Sequence, residues 1–377
     1  MGTKKNICNI VIDEKFIDDT IECIDLYSDK WDTTWIICSH RVQDFQYIRK
    51  NTDRVNKIDE KDIIDYIKTN NFDAVILHSL QVVSPATILG IPKHVKLFWF
   101  SWGYDIYNFP INKPFLKWNL YKPLTAKFKK TSIDIQLYEL KLKVKYTLKR
   151  YGKLYIEVLN RIDYFSGLPF EFDLLKQIPE FRAQWVFFTY SSLSLFKTFE
   201  NYNGNNILVG NNAALTNNHL DCLEYLKRLN IGDRRIILPL SYGKTSNYVD
   251  VVEESYRKIF GDKVDILADF IPYDEYSKHI QSCSIAVFFM NRQQAMGNIK
   301  TALKTGCKVF LSKDNPLFSY LKDSGIYIFS VEQDLNDQSV DTPLTEVEIK
   351  HNRDMLISLF GYDACLQHLD TIYNALL

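Results

Sequence analysis

Glycine and proline are scarce, at 14 and 11 of 377 residues, roughly half of average usage. Their scarcity excludes collagen-like and low-complexity chains, and 24 Phe, 23 Tyr and 6 Trp leave little room for disorder. Net charge is absent too, with 46 basic and 46 acidic residues, so the whole molecule has no field to gather nucleic acid. Long hydrophobic runs are missing: stretches such as SIAVFFM have strand length, not the roughly 20 apolar residues that span a bilayer. The opening MGTKKNICNIVID lacks a basic start followed by an apolar core and a small-residue cleavage site, so a chain that stays in the cytoplasm is expected. Seven cysteines form no C-x-x-C pair. They sit mostly in apolar runs, as Cys8, Cys38, Cys283 and Cys307 do, and all seven are expected to be reduced core thiols. HExxH, D-x-D, GxxxxGK[ST], GxGxxG and GxSxG are all absent. No metal site and no cofactor are therefore expected, and P-loop NTPase and dinucleotide dehydrogenase chemistry fall away.

What is present is alternation. Short β-branched and aromatic runs, among them NICNIVID, TTWIICS, FDAVILHS, VKLFWFS, IDYFSG and QWVFFTY, are separated by helical-period stretches. The pattern repeats more cleanly from NNILVGN through RRIILPLSYG, VDILADF, SIAVFFMN, CKVFLS and IYIFS. It predicts an α/β protein with two Rossmann-like, doubly wound domains. The expected domains are 1–190 and 205–340, joined by a polar connector over 188–206, with closing helices over 341–377. Residues 113–153 form a basic helical insert in the first domain: twelve Lys or Arg stand against Asp134 and Glu139 alone. Lys117, Trp118, Lys127, Lys129 and Lys130, interleaved with Phe115, Tyr121 and Phe128, suit a surface lying on anionic lipid.

Ligands of parallel sheets bind beyond the carboxyl ends of the strands, and three loops in the second half reach that edge. NRQQAMGN supplies the Arg292 guanidinium, the amides of Gln293, Gln294 and Asn298, and Gly297 at a helix start, a combination suited to a phosphate. VGNNAALTNNH adds Gly210, Asn211, Asn217 and His219, and PLSYGKTSN adds Tyr242 and Lys244. In the first half, Asp105 follows one strand and His78 ends another. Either could deprotonate an attacking hydroxyl, with Asp105 the first choice and His78 the second.

Together LFWFSWGYDIY, ILVGNNAALTNNH, LPLSYGKTSNY, PYDEYSKHIQSCSIAVFFMNRQQAMGN and SKDNP resemble the bacterial 4-acetamido-4,6-dideoxygalactose transferases of enterobacterial common antigen assembly. The family pattern is met at His78, Trp102, Gly103, Asp105, Gly210, Asn211, Asn217, His219, Tyr242, Asp274, Tyr276, Arg292, Gln293, Gln294, Gly297, Asn315 and Pro316. Departures are Asn212, Ala213 and Ala214 where the family has Ser-Gly-Asp, Ser241 in place of a Gly, and a longer basic insert. The resemblance implies the GT-B architecture, with an acceptor-binding first domain, a donor-binding second domain and C-terminal helices crossing back. It also implies a dTDP-linked donor, a polyprenyl-diphosphate-linked saccharide acceptor and a peripheral site on the cytoplasmic face of the inner membrane, without nucleic acid. Asn315 is expected to help close the sugar pocket. A sugar-nucleotide epimerase on the same fold, or an inert scaffold in a polysaccharide complex, are the alternatives.

Overall fold

The structure is a computed structural model that describes residues 4–107, 119–148, 151–188, 190, 198–244 and 246–377. The chain divides into two compact units, one formed by Met1–Lys117, Val144–Lys197 and Ser358–Leu377, the other by Trp118–Lys143 and Thr198–Ile357.

The first unit holds seven parallel strands: β1 (Lys5–Val11), β2 (Trp31–Cys38), β3 (Val55–Ile58), β4 (Ala74–His78), β5 (Lys96–Phe100), β6 (Tyr164–Ser166) and β7 (Gln184–Trp185). Their spatial order is 3-2-1-4-5-6-7. The apolar runs predicted the central strands because a parallel sheet is covered on both faces; Ile7, Val11, Ile37, Ala74, Phe98 and Phe100 are buried. The strand β3, VNKI, escaped prediction because two of its four residues are exposed and polar. The last helix, Tyr362–Asn374, belongs to this unit, where Cys365, Leu369 and Ile372 enter the core beside Ile21 and Trp31. Cys23 and Cys365 are joined by a disulfide, whereas Cys8, Cys38, Cys222, Cys283 and Cys307 are free and buried. The reduced-thiol expectation thus fails for this one pair, which lies 342 residues apart in sequence, beyond anything local spacing reveals.

The second unit carries six parallel strands: β8 (Asn206–Val209), β9 (Ile236–Pro239), β10 (Val264–Leu267), β11 (Cys283–Phe288), β12 (Lys308–Leu311) and β13 (Phe329–Ser330), in the order 10-9-8-11-12-13. Part of the basic segment, expected in the first domain, belongs to this unit instead. Lys122 is buried: its ammonium meets Asp314 at 3.0 Å and Glu332 at 3.1 Å and lies 4.2 Å from the Phe289 ring centre. Asp221 accepts the Leu124 and Thr125 backbone N–H groups and the Thr125 hydroxyl, so a carboxylate fastens the start of the helix Pro123–Thr131. Tyr121 and Phe128 pack against the core of this unit, and the Phe128 and Tyr248 ring centres are 5.2 Å apart. They are not membrane-facing rings; Phe115, Lys117 and Trp118 lie outside the described residues.

Candidate active site

In each sheet the strand order reverses once, between β1 and β4 and between β8 and β11. Loops leaving such neighbours run apart and open a crevice.

At the second unit's reversal, β8 is followed by Gly210, whose φ of +71° favours a residue without a side chain. A Cβ there would sit 2.8 Å from His219 Nε2 and 2.9 Å from Asn217 Oδ1. Asn217 accepts the Asn211 N–H at 3.1 Å and donates to Asn212 Oδ1 at 2.7 Å. The Asn211 amide then reaches both ways, donating to the Tyr242 hydroxyl at 3.2 Å and accepting from Gln294 Nε2 at 2.9 Å. Gln294 also accepts the Thr216 hydroxyl at 2.8 Å. The loops after β8 and β11 are therefore tied across the reversal through Asn211 and Gln294, and Tyr242 joins them.

Arg292 and Gln294 are buried, and Arg292 donates to the Gln293 carbonyl at 3.0 Å. Ala295, at φ +64°, turns the chain into the helix Met296–Lys304. Gly297 is exposed in its first turn, and a Cβ there would meet nothing within 4 Å. A helix N-terminus with open space at Gly297 suits an anion. Asn298 donates to the Tyr276 hydroxyl at 2.7 Å. Asn315 is buried, its Oδ1 capping the helix Pro316–Asp323 through the Leu317 N–H while Nδ2 has no partner. The His219 ring is fully buried behind Gly210, and neither ring nitrogen has a hydrogen-bond partner. It is thus placed to support the loop and not to line its mouth. Burial lowers its imidazole to about 3.

In the first unit, Asp105 does not present a free carboxylate. It is buried and accepts Leu80 N–H at 3.1 Å, Trp99 Nε1–H at 2.6 Å and Trp102 N–H at 2.9 Å. Burial raises its carboxyl, while these donors pull it down. Gly103, at φ +69°, completes the turn that Asp105 holds. His78 is equally occupied: Nε2 lies 3.0 Å from Asn9 Oδ1 and Nδ1 2.8 Å from the Tyr190 hydroxyl. With Asn9 Oδ1 accepting, Nε2 carries the proton and Nδ1 accepts from Tyr190. Burial lowers this imidazole to about 3 as well. Both residues hold the edge together through these bonds.

Sequence reasoning passed over Glu14, which follows β1 at the reversal. Its neighbour Asp13 is turned away, accepting the Gln46, Tyr47 and Ile48 N–H groups. Burial raises the Glu14 carboxyl above the ordinary range, against the pull of Lys15. Among the described residues, Cys38, His40 and Glu60 are the group of side chains close enough to hold a metal.

The profile of the family described as 4-alpha-L-fucosyltransferase, glycosyl transferase group 56, matches residues 135–363, more than half of the chain. The chain belongs to this family. The protein is therefore a glycosyltransferase, and its fold agrees with that of solved members of the wider class. A glycosyltransferase from Rickettsia africae is 14% identical, with a TM-score of 0.62 over 100% of this chain and 99% of that one. An Anabaena protein, HepE, solved with UDP and glucose, is 9% identical, with a TM-score of 0.63 over 99% and 100%. Sucrose-phosphate synthase from Thermosynechococcus elongatus is 10% identical, with a TM-score of 0.62 over 99% of both chains. At such identities the likeness establishes the GT-B fold.

Proposed function

We propose that this glycosyltransferase moves an amino-deoxy sugar from a dTDP-linked donor to a polyprenyl-diphosphate-linked saccharide at the cytoplasmic face of the inner membrane. The observation that carries the reading is the Asn211–Gln294 hydrogen bond, which joins the β8 and β11 loops beside Arg292. Arg292 and the N-terminus of the helix Met296–Lys304 would take the diphosphate, strengthening their hold as charge develops on the leaving oxygen. Tyr242, 40% exposed, would stack on the base, with Asn211 and Gln294 orienting the phosphates and ribose. The Asn315 amide would donate to a sugar hydroxyl. A family described by fucosyl transfer supports a 6-deoxy sugar.

The membrane reading rests on the helix Ile133–Leu148. Ile133, Leu137 and Leu140 repeat at helical spacing and are 74%, 51% and 56% exposed. Lys127, Lys130 and Lys141 are exposed nearby in sequence, while Lys129 pairs with Glu139 at 2.6 Å. No described helix is long and apolar enough to cross a bilayer, so contact would be peripheral.

A thermal-shift panel of dTDP, UDP, GDP and CMP tests the donor. The expected result is the largest rise in midpoint with dTDP, since a ligand of the folded state raises it by mass action. No rise with any nucleotide overturns the proposal. Turnover of the donor without an acceptor would mark an epimerase instead.

A further inference from the structure

We propose that Cys38, His40 and Glu60 form a three-ligand site for a zinc-class divalent cation. The three donor atoms, Cys38 Sγ, a His40 ring nitrogen and a Glu60 carboxylate oxygen, all lie within 4.8 Å of one another. Topology brings them together. Cys38 is the last residue of β2 and stands in register with Ile58, the last residue of β3; His40 and Glu60 are each two residues further on.

The carboxylate is already oriented. Glu60 Oε1 accepts the Ser84 N–H at 2.6 Å and the Thr87 hydroxyl at 2.9 Å. That leaves Oε2 facing His40, 3.8 Å from Nε2. Such outer hydrogen bonds are how proteins fix a ligating carboxylate. The Cys38 thiol is buried and donates to the Val82 carbonyl at 3.5 Å, whereas the His40 side chain is 56% exposed. The exposed imidazole has room to swing as the three donors close on one ion.

One thiolate, one imidazole and one carboxylate make a set of borderline softness, suited to zinc rather than to calcium or magnesium. Two anionic ligands balance the dication, and three protein ligands leave a fourth position for water or a substrate oxygen. On binding, the Cys38 S–H bond is replaced by a bond from sulfur to metal, and the proton leaves to solvent.

The test titrates the chelator-stripped full chain with cobalt(II) alone. One equivalent should bind with a sulfur-to-cobalt charge-transfer band, displaced by zinc and absent in Cys38→Ser. His40→Ala, at an exposed position where folding is not at risk, should weaken binding at least tenfold. Thr87→Ala should weaken it roughly tenfold with unchanged stoichiometry, as loss of an outer-shell partner does. No charge-transfer band, a band that persists in Cys38→Ser, or His40→Ala binding as tightly as the parent overturns the proposal. Should Cys38→Ser unfold, the His40→Ala titration decides.

Discussion

His78 and His219 occupy different units, yet both are buried beside the point where a parallel sheet reverses its strand order, and burial lowers both imidazoles to about 3. Their surroundings differ. His78 has a partner on each ring nitrogen, Asn9 and Tyr190; His219 has none and rests against Gly210. Desolvation alone fixes the charge state, whereas hydrogen-bond partners decide what removal of the ring costs.

The largest expected effect treats the two alike. Each imidazole is neutral when folded but takes up a proton near 6.5 when unfolded, so the unfolded chain binds more protons between about pH 3 and 6.5. Stability is therefore full above pH 6.5 and falls as the pH drops towards 3, by about 2 kcal/mol per histidine at pH 5 and about 4 for both. Urea unfolding of wild type against His219→Leu across this window should show the variant losing about 2 kcal/mol less; identical slopes would break the comparison.

His78→Leu comes next. It removes the acceptor of the Tyr190 hydroxyl and strands Asn9 Oδ1, and should cost about 3 kcal/mol, a stranded buried group alone costing roughly 1 to 3. His219→Leu, with no partner to strand, should stay within about 1 kcal/mol. Equal losses in urea melts would mean that partners do not separate the two sites. Gly210→Ala follows at about 2 kcal/mol, from positive φ and collision with His219. Part of that loss should return in a His219→Ala background, measured as a double-mutant cycle. Asn315 gives the smallest effect: Asn315→Ala removes a cap and should cost about 1 kcal/mol. Asn315→Asp keeps the cap but loses Nδ2, so stability should hold while kcat/KM for the donor falls.

The parallel strands were legible because strands covered on both faces read as continuous apolar runs, as FDAVILHS and SIAVFFMN do. The exposed edge strand β3 carried no such signal. At the carboxyl edge of the second unit, Gly210, Asn211, Gln294 and Arg292 could be named from residue type, but the Asn211–Gln294 bond depends on β8 and β11 being neighbours. Asp105 and His78 could be named from what their residue types do chemically, but which N–H and hydroxyl groups already occupy them is decided only in the fold. Within the basic segment, Tyr121 and Phe128 look like lipid-facing rings until they are found packed against the core of the second unit.

Local composition and period by themselves determined the α/β class, the alternation of strands and helices and the loops that reach the carboxyl edges, because backbone geometry responds to neighbours a few residues away. Only the tertiary structure decided which polar groups are already satisfied, which cysteines pair and which three side chains meet at Cys38, His40 and Glu60. Those outcomes turn on contacts between residues tens to hundreds of positions apart, and burial sets both the charge state and the cost of every group they enclose.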